Sequence, residues 1–473
     1  MRRAVPLLGA MALSACVAGP PPEVATPAPA LPAGFAWQPP PGTARDLARL
    51  LPGEDPAYQA LSQAALAGSP SLGEALARVE AARAGAVRAG AERLPNLGAS
   101  ASVTGQRTSP NQFGTDLPPQ IAFDAERVAY AANLTASWDA DLFGRLRAQE
   151  RAALARLDAA GGEAAAVRSA LLAEIAGAVI DWRTLEAREA ALSEDLVAAE
   201  TLVTLTEIRE RAGIAPGFDR VRAEAAAEAS RSRIAALASE KARIAGRLAT
   251  LAGVGAATAR EALSARAAPL PSAGPPASLP SQLLANRPDV RAAQALLAAS
   301  DAELAGAAAR RFPQLSLSAT LGLLAFDFGG LLDGDAVVGS AGAGLLAPLL
   351  DFGRIGAEID LAAANKKIAF ERYRGAVLAA LGEAEAAYGL IAAADAEALA
   401  ARREAVSAER AAELAGFRFR AGLENFLAVL DARRAADASG ERAAAAEGRA
   451  ARARVLLWQA LGGDYPASRS TSQ

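Results

Sequence analysis

The chain has 473 residues, Lys+Arg 49 against Asp+Glu 52, a formal net charge of -3, Cys 1, Met 2 and His 0. Those counts exclude a histidine base or proton shuttle, a disulfide framework, a zinc ribbon and an iron–sulfur cluster, and the mild acidity disfavours nucleic acid as a partner. Alanine makes up roughly a quarter of the sequence, far above ordinary usage. No run approaches the roughly 20 apolar residues of a membrane-spanning helix, so long, closely packed helices are expected.

The first residues form an address. Arg2 and Arg3 precede a short apolar stretch, Ala4 to Leu13, and then Leu13-Ser14-Ala15-Cys16. A basic start, an apolar core and small residues before a cleavage point predict a secretory signal over 1–15. The tetrad resembles a bacterial lipobox. That resemblance implies cleavage before Cys16, a diacylglycerol on its thiol and an acyl chain on its amine. Several acyl chains make a stable anchor, each buried methylene contributing about 0.8 kcal/mol. A plain signal peptide with an incidental cysteine is the alternative. Val17 follows, where an Asp would retain the protein at the inner membrane, so the outer membrane is the expected destination. Both methionines, Met1 and Met11, lie in the signal. Residues 16–70 are read as a tether and an equatorial segment, rich in Pro and Ala from Gly19 to about Gly42.

The remainder is written twice. Leu94-Pro95-Asn96-Leu97 is answered by Phe312-Pro313-Gln314-Leu315, Asp141-Leu142-Phe143-Gly144-Arg145 by Leu350-Asp351-Phe352-Gly353-Arg354, and Arg211-Ala212-Gly213-Ile214 by Arg420-Ala421-Gly422-Leu423. The unit is far longer than a solenoid repeat, so this is a duplication. The first repeat is placed at 71–265 and the second at 285–463. Between them lies a Pro-rich linker, 266–284, and a tail follows, 464–473.

Each repeat carries two strand signals, at about 96–106 and 128–139, then 314–324 and 336–347. Ala99, Ala101, Val103 and Gly105 alternate with Ser100, Ser102, Thr104 and Gln106. Val128, Tyr130, Ala132, Leu134, Ala136 and Trp138 alternate with Ala129, Ala131, Asn133, Thr135 and Ser137. Leu315, Leu317, Ala319, Leu321 and Leu323 alternate with Ser316, Ser318, Thr320 and Gly322; the Gly-rich fourth strand is weaker. Period-two alternation means one apolar and one wet face. It fits a soluble sheet packed on a helix, or a membrane barrel with a polar lumen. Four strands cannot close a barrel, since small closed barrels need about eight, so a barrel would have to be shared among protomers.

After each strand pair, no proline occurs between Pro119 and Pro216 or between Pro348 and Pro466. Residues 145–211 and 354–420 can each form one helix about 100 Å long. Leu171, Ile175, Ala178, Trp182 and Leu185 step by four and three, as do Val377, Leu381, Ala384, Tyr388 and Ile391. That is the spacing of a supercoiled seam. Gly213 and Gly422 suit left-handed caps, after which helices return over about 218–253 and 427–462.

Candidate chemistry is sparse. Asp139, Asp141 and Asp351 stand where strand becomes helix and are assigned to turns and caps. Gly339 to Gly344 falls in a strand and lacks the lysine of a phosphate loop, and Gly329-Gly330 is read as a loop. Glu383 and Glu385 are read as solvated or interhelical. Neither a catalytic residue, a metal site nor a cofactor is expected. Leu427, Asp431 and Arg434 share one helical face just past the Gly422 turn. In a symmetric oligomer they would make stacked apolar, acidic and basic rings able to constrict a pore; as a local exposed ion pair they would contribute well under 1 kcal/mol.

Asn286-Arg287-Pro288-Asp289-Val290-Arg291-Ala292-Ala293, continuing to Ala309-Arg310-Arg311-Phe312-Pro313-Gln314-Leu315, resembles the middle signature of TolC-like outer-membrane efflux proteins, in particular their lipoprotein, NodT-type branch. Asp141 to Arg145 and Ala428-Val429-Leu430-Asp431-Ala432 resemble other motifs of that family. The resemblance implies an α+β membrane protein in which two strands plus a long coiled-coil hairpin are duplicated. It implies a homotrimer with a twelve-stranded barrel in the outer membrane and a helical periplasmic tunnel. The implied partners are a periplasmic adaptor, an inner-membrane pump of the RND type and outer-membrane lipid. Leu427, Asp431 and Arg434 stand where relatives carry periplasmic gate residues, with Asp219 and Arg222 as secondary candidates in the first repeat. Some relatives have a second acid where this chain has Ala428. The implied function is a passive exit duct. A periplasmic coiled-coil adaptor or scaffold lipoprotein is the alternative, and it would show one hairpin between split lipoyl-like halves.

Overall fold

The computed structural model describes residues 22–39, 47–107, 109 and 126–463. The signal segment, Cys16 and the tail 464–473 lie outside the described residues. In chain order the regular elements are α1 (Pro56–Gly68), α2 (Pro70–Ala91), β1 (Asn96–Arg107), β2 (Glu126–Asp139), α3 (Arg145–Arg211), α4 (Gly217–Ala252), α5 (Ala256–Leu263), α6 (Pro280–Asn286), α7 (Pro288–Ala309), β3 (Gln314–Ala325), β4 (Val337–Leu346), α8 (Arg354–Arg420) and α9 (Phe426–Ala460), with short 3-10 turns at Leu47–Leu50, Gly329–Leu332 and Gly334–Ala336. Gly329-Gly330 thus opens a 3-10 turn where a loop was expected. The cause is local: Asp327 Oδ1 accepts from Gly330 N at 2.8 Å.

The chain condenses into two compact units, Met1–Pro27 with Glu80–Ala159 and Gln294–Arg372, and Ala28–Val79 with Ala160–Ala293 and Tyr373–Gln473. Each unit draws on both sequence repeats, because strands pair with strands and helices pack on helices regardless of which copy they come from.

The first unit contains a four-stranded antiparallel sheet in the order β1-β2-β3-β4. Its register brings the alternation of all four strands into phase. Ala99 pairs with Leu134, Leu134 with Leu321 and Leu321 with Gly339; one step along, Leu97, Ala136, Ala319 and Ala341 line up. Two residues is the side-chain period of a strand, so each rank lies on a single face. The opposite face carries Gly98, Thr135, Thr320 and Ser340 in one rank and Ser100, Asn133, Gly322 and Val338 in another. All 12 residues of β1 and all 10 of β4 are exposed.

The second unit buries the expected seams. Leu171, Ile175, Ala178, Val377, Ala384, Tyr388 and Ile391 lie in one apolar cluster with Leu457 and Trp458 of α9, while Trp182 and Leu381 pack partly buried against it. Leu185 belongs to a separate cluster with Leu192 and Leu237. Helices α3 and α8 are each 67 residues long, about 100 Å at 1.5 Å per residue. Close approach is built from small side chains. A Cβ at Gly162 of α3 would lie 2.9 Å from Pro288 O and 3.0 Å from Ala292 Cβ of α7.

One expectation fails. α8 contains an 18-residue window of mean hydropathy 1.4 with few enough charges to cross a membrane by length and composition. The alanines that serve as spacers also raise hydropathy. Val377, Ala380, Ala384, Tyr388 and Ile391 of this helix are core residues, which is the use that a packed helix makes of such a stretch.

Candidate functional site

The corners from strand to helix set where the long helices begin. Asp141 Oδ1 and Oδ2 accept from Leu146 N at 2.8 Å and Arg147 N at 2.9 Å. Asp351 accepts from Gly353 N at 3.1 Å and Ile355 N at 2.8 Å, and these two backbone donors hold its carboxyl below the usual carboxylate range. Both satisfy otherwise orphaned N–H groups in a first helical turn. The repeat is not literal here. Asp141 is itself left-handed (φ 42°), whereas in the second copy Phe352 is (φ 53°), so the capping acid has moved by one position. Asp139 pairs with Arg145 at 2.5 Å.

At the other end of each long helix Gly213 (φ 69°) and Gly422 (φ 73°) reverse the chain. Ile214 N donates to Arg209 O at 2.9 Å and Leu423 N to Arg418 O at 2.8 Å, the six-to-one bond of a Schellman cap. Asn425 Oδ1 then accepts from Ala428 N at 2.9 Å to start α9. Phe426, Val429 and Leu430 turn inward, clustered with Phe419 and with Ala223 of α4. Leu427, Asp431 and Arg434 occupy the opposite, exposed face. Among the described residues Asp431 and Arg434 are not ion-paired, with each other or with another group, so a local salt bridge does not account for the face. Asp219 and Arg222 stand half-buried in the first turns of α4. Arg222 lies over the Phe218 ring at 4.5 Å. No hydrogen bond or ion pair among the described residues joins them to Leu427, Asp431 or Arg434.

The middle signature has a structural job. Arg287 grips Asp289 with two bonds, at 3.0 and 2.6 Å, and reaches Glu383 of α8 at 2.6 Å and Ala460 O at the end of α9 at 3.2 Å. Glu385 accepts from Ala36 N at 3.1 and 3.0 Å. Glu383 therefore ties α8 to the start of α7, and Glu385 ties it to the N-terminal segment. The linker is pinned in a similar way: Tyr388 Oη donates to Pro276 O at 2.8 Å, and burial raises that phenol to about 12.

Sequence reading overlooked two features. Aromatic side chains bracket the sheet: Tyr130 packs edge-on to Phe328 at 5.7 Å near one end, and Phe143 stacks on Phe312 at 4.8 Å near the other, the end at which Trp138 Nε1 donates to Arg93 O at 2.9 Å. Tyr130 and Trp138 are separated by about 26 Å along the strand at 3.3 Å per residue, the scale of a barrel's apolar band with its flanking aromatic belts. The strand alternation already held Tyr130 and Trp138; the phenylalanines come from connecting segments. The second feature is a fully buried ion pair. Arg183 of α3 donates to Asp55 Oδ2 and Oδ1 at 2.8 and 3.0 Å, to Glu186 at 2.8 Å and to Leu263 O at 3.0 Å. Burial alone would raise the Asp55 carboxyl, but Arg183 and the Ala57 N–H hold it below its ordinary value.

A continuous strand array with a polar and an apolar face, carried by two 67-residue hairpin helices, defines an outer-membrane channel fold rather than an adaptor, which would have one hairpin. The chain belongs to the outer membrane efflux protein family, whose sequence profile matches residues 61–254 and 279–463. It is similar to the pyoverdine export outer membrane protein OpmQ of Pseudomonas aeruginosa, 33% identical over 420 residues that cover 88% of this chain and 86% of that protein. It is also similar to the outer membrane protein OprJ of the same organism, 30% identical over 88% of this chain and 86% of the relative. Among solved structures, the outer-membrane channel OprN superposes with a TM-score of 0.84 at 29% identity, covering 94% of this chain and 99% of that one. VceC of Vibrio cholerae gives 0.79 at 27% identity, covering 87% and 97%.

Proposed function

We propose that three copies of this chain form one outer-membrane duct, each contributing four strands to a twelve-stranded barrel. The observation that carries this is the sheet: both edge strands, β1 and β4, are exposed along their whole length, and an apolar face runs unbroken across all four strands. Open edges and an uncovered apolar face are satisfied together by closure with other copies in lipid. The strands, 10 to 14 residues long, suit a bilayer crossing. The apolar ranks would face lipid and the serines, threonines and glycines the lumen.

The duct is passive and works without a catalytic residue, metal or cofactor; a periplasmic adaptor and an RND-type inner-membrane pump supply the driving force. Its inner end closes on rings of Leu427, Asp431 and Arg434, and opening separates them as the second hairpin untwists from the first. Asp219 and Arg222 would act at the same end in a lesser role. Cys16 carries the lipid anchor.

Fractionation with native mass in mild detergent tests the assembly: a trimer in the outer membrane is expected, and a soluble monomer would overturn it. Palmitate labelling that disappears in Cys16→Ser is expected for the anchor, and label retained in that variant would refute it.

A further inference from the structure

Two acids face each other between the hairpins. Asp195 of α3 and Asp437 of α9 line one small cavity, although α3 belongs to the first hairpin and α9 to the second. One oxygen of each, Asp195 Oδ2 and Asp437 Oδ1, is buried and makes no hydrogen bond to any other group. Two carboxyls in that position can satisfy each other only if one carries a proton. The cavity, of about 20 Å³, is lined half by alanine and leucine and half by the two acids, Ser230, Arg433 and Arg434, with room for about one water.

Charged groups on the neighbouring helices surround the pair and offset its charge only in part. From α4, Arg233 approaches Asp437 only to 3.7 Å and is committed to Glu441 of α9 at 3.0 Å. Glu441 is also held by Arg188 of α3 at 3.4 Å, which lies 4.0 Å from Glu240 of α4. Arg433 on α9 is drawn away to Glu409 of α8 at 2.9 Å. Arg434 borders the cavity. Each arginine that could quench a second negative charge thus has another carboxylate as its nearer partner, or stands at the rim.

We propose that Asp195 and Asp437 form a proton-operated latch between the two hairpins, closed while one proton is shared and released when it is lost. With the proton, the acids tie α3 to α9. Without it, two like charges face each other across a small, largely buried cavity, and separating the helices relieves the repulsion. The proton leaves to solvent and no other bond changes. Burial first, then the bond and charge of Asp437, push the Asp195 carboxyl up to about 8, against the opposing pull of Arg233 and Arg433. A group raised in the latched state gives that state an advantage at lower pH, which fades as pH climbs toward 8. The latch lies three residues beyond Arg434, on the helix that carries the gate face.

The inference rests on the duct reading for its electrical readout, so the test has two arms. In planar bilayers the wild-type channel should open more often as pH rises from 6 to 9, by up to about tenfold per pH unit for each latch. Asp195→Asn, which keeps the hydrogen bond without a titrating proton, should stay closed across that range, and Asp437→Asn provides the matching variant from the other side. Independently of conduction, difference infrared spectra of the full chain in detergent should show a protonated-carboxyl stretch that is lost near pH 8 and is absent from Asp195→Asn. An unchanged pH response in both variants, or no such band in the wild type, overturns the latch. Channels that never form in any variant count against the duct alone, and the infrared arm then decides the latch.

Discussion

Arg183 offers the sharpest test of how the second unit is held together. Its guanidinium is 4% exposed and its partner Asp55 3%, and four hydrogen bonds fix it to α1, α5 and its own helix. Arg183→Met keeps the length of the stem and removes the charge. Asp55 would then be left with the Ala57 N–H at 2.8 Å and no cation. Breaking a buried pair in this way costs about 3–5 kcal/mol. The acid can escape by taking a proton, which at pH 7 costs about 4 kcal/mol from an ordinary carboxylate value, so the loss is capped near that figure. The expected readout is local: hydrogen exchange over 47–68 should accelerate by about 10²–10³-fold. The pH dependence should also invert. In the wild type the Asp55 pKa is depressed, so its contribution is complete above the ordinary carboxylate value and is lost only as pH falls through the depressed one. In Arg183→Met the buried acid is penalised while charged, so protection of 47–68 should recover on acidification from pH 7 to 5. Adding Asp55→Asn should restore most of it at pH 7. Acceleration below about fivefold, or a further loss on acidification, would refute the account.

Three further outcomes follow from the sheet, the helix contacts and the gate face. Leu321→Arg places a charge in mid-strand on the apolar face and should cost about 2–4 kcal/mol per protomer in refolding titrations, while Thr320→Arg, one residue away on the polar face, should assemble normally; equal effects would mean that the two faces are misassigned. Gly162→Val overfills the contact with Pro288 and Ala292 and should destabilise by about 1–3 kcal/mol in thermal melts, whereas Gly161→Ala, with open space at its Cβ, should be neutral or better. Asp431→Ala with Arg434→Ala should raise bilayer open probability about tenfold, taking about 0.5 kcal/mol from each of three exposed contacts; unchanged conductance would detach these residues from the gate.

The regular elements were legible in the residues alone. Proline-free stretches, glycines at the turns and aspartates at the corners bound the two long helices, and the structure places them at Arg145–Arg211 and Arg354–Arg420. Strand alternation was equally legible, because a two-residue period needs no knowledge of neighbours. Even the weak fourth strand follows, once β3 supplies it with a partner. That Leu427, Asp431 and Arg434 share one exposed face could be read as well, since they lie within two helical turns. Hydropathy does not by itself separate the two uses of alanine, because it scores as apolar whether it faces lipid or a neighbouring helix.

Whatever depends on distant residues meeting became visible only in the folded chain. Nothing near Asp55 announces Arg183, 128 positions away, and nothing in the local pattern around Asp195 or Asp437 distinguishes them from other helix-surface acids. Burial made the difference: the same side chains cost little in water and a great deal when packed between helices, so their roles appear only when the partner helix is in place. The sheet shows the same division. Each strand specifies its own two faces, but only the pairing register puts four apolar faces on one side and leaves two open edges that a single chain cannot close.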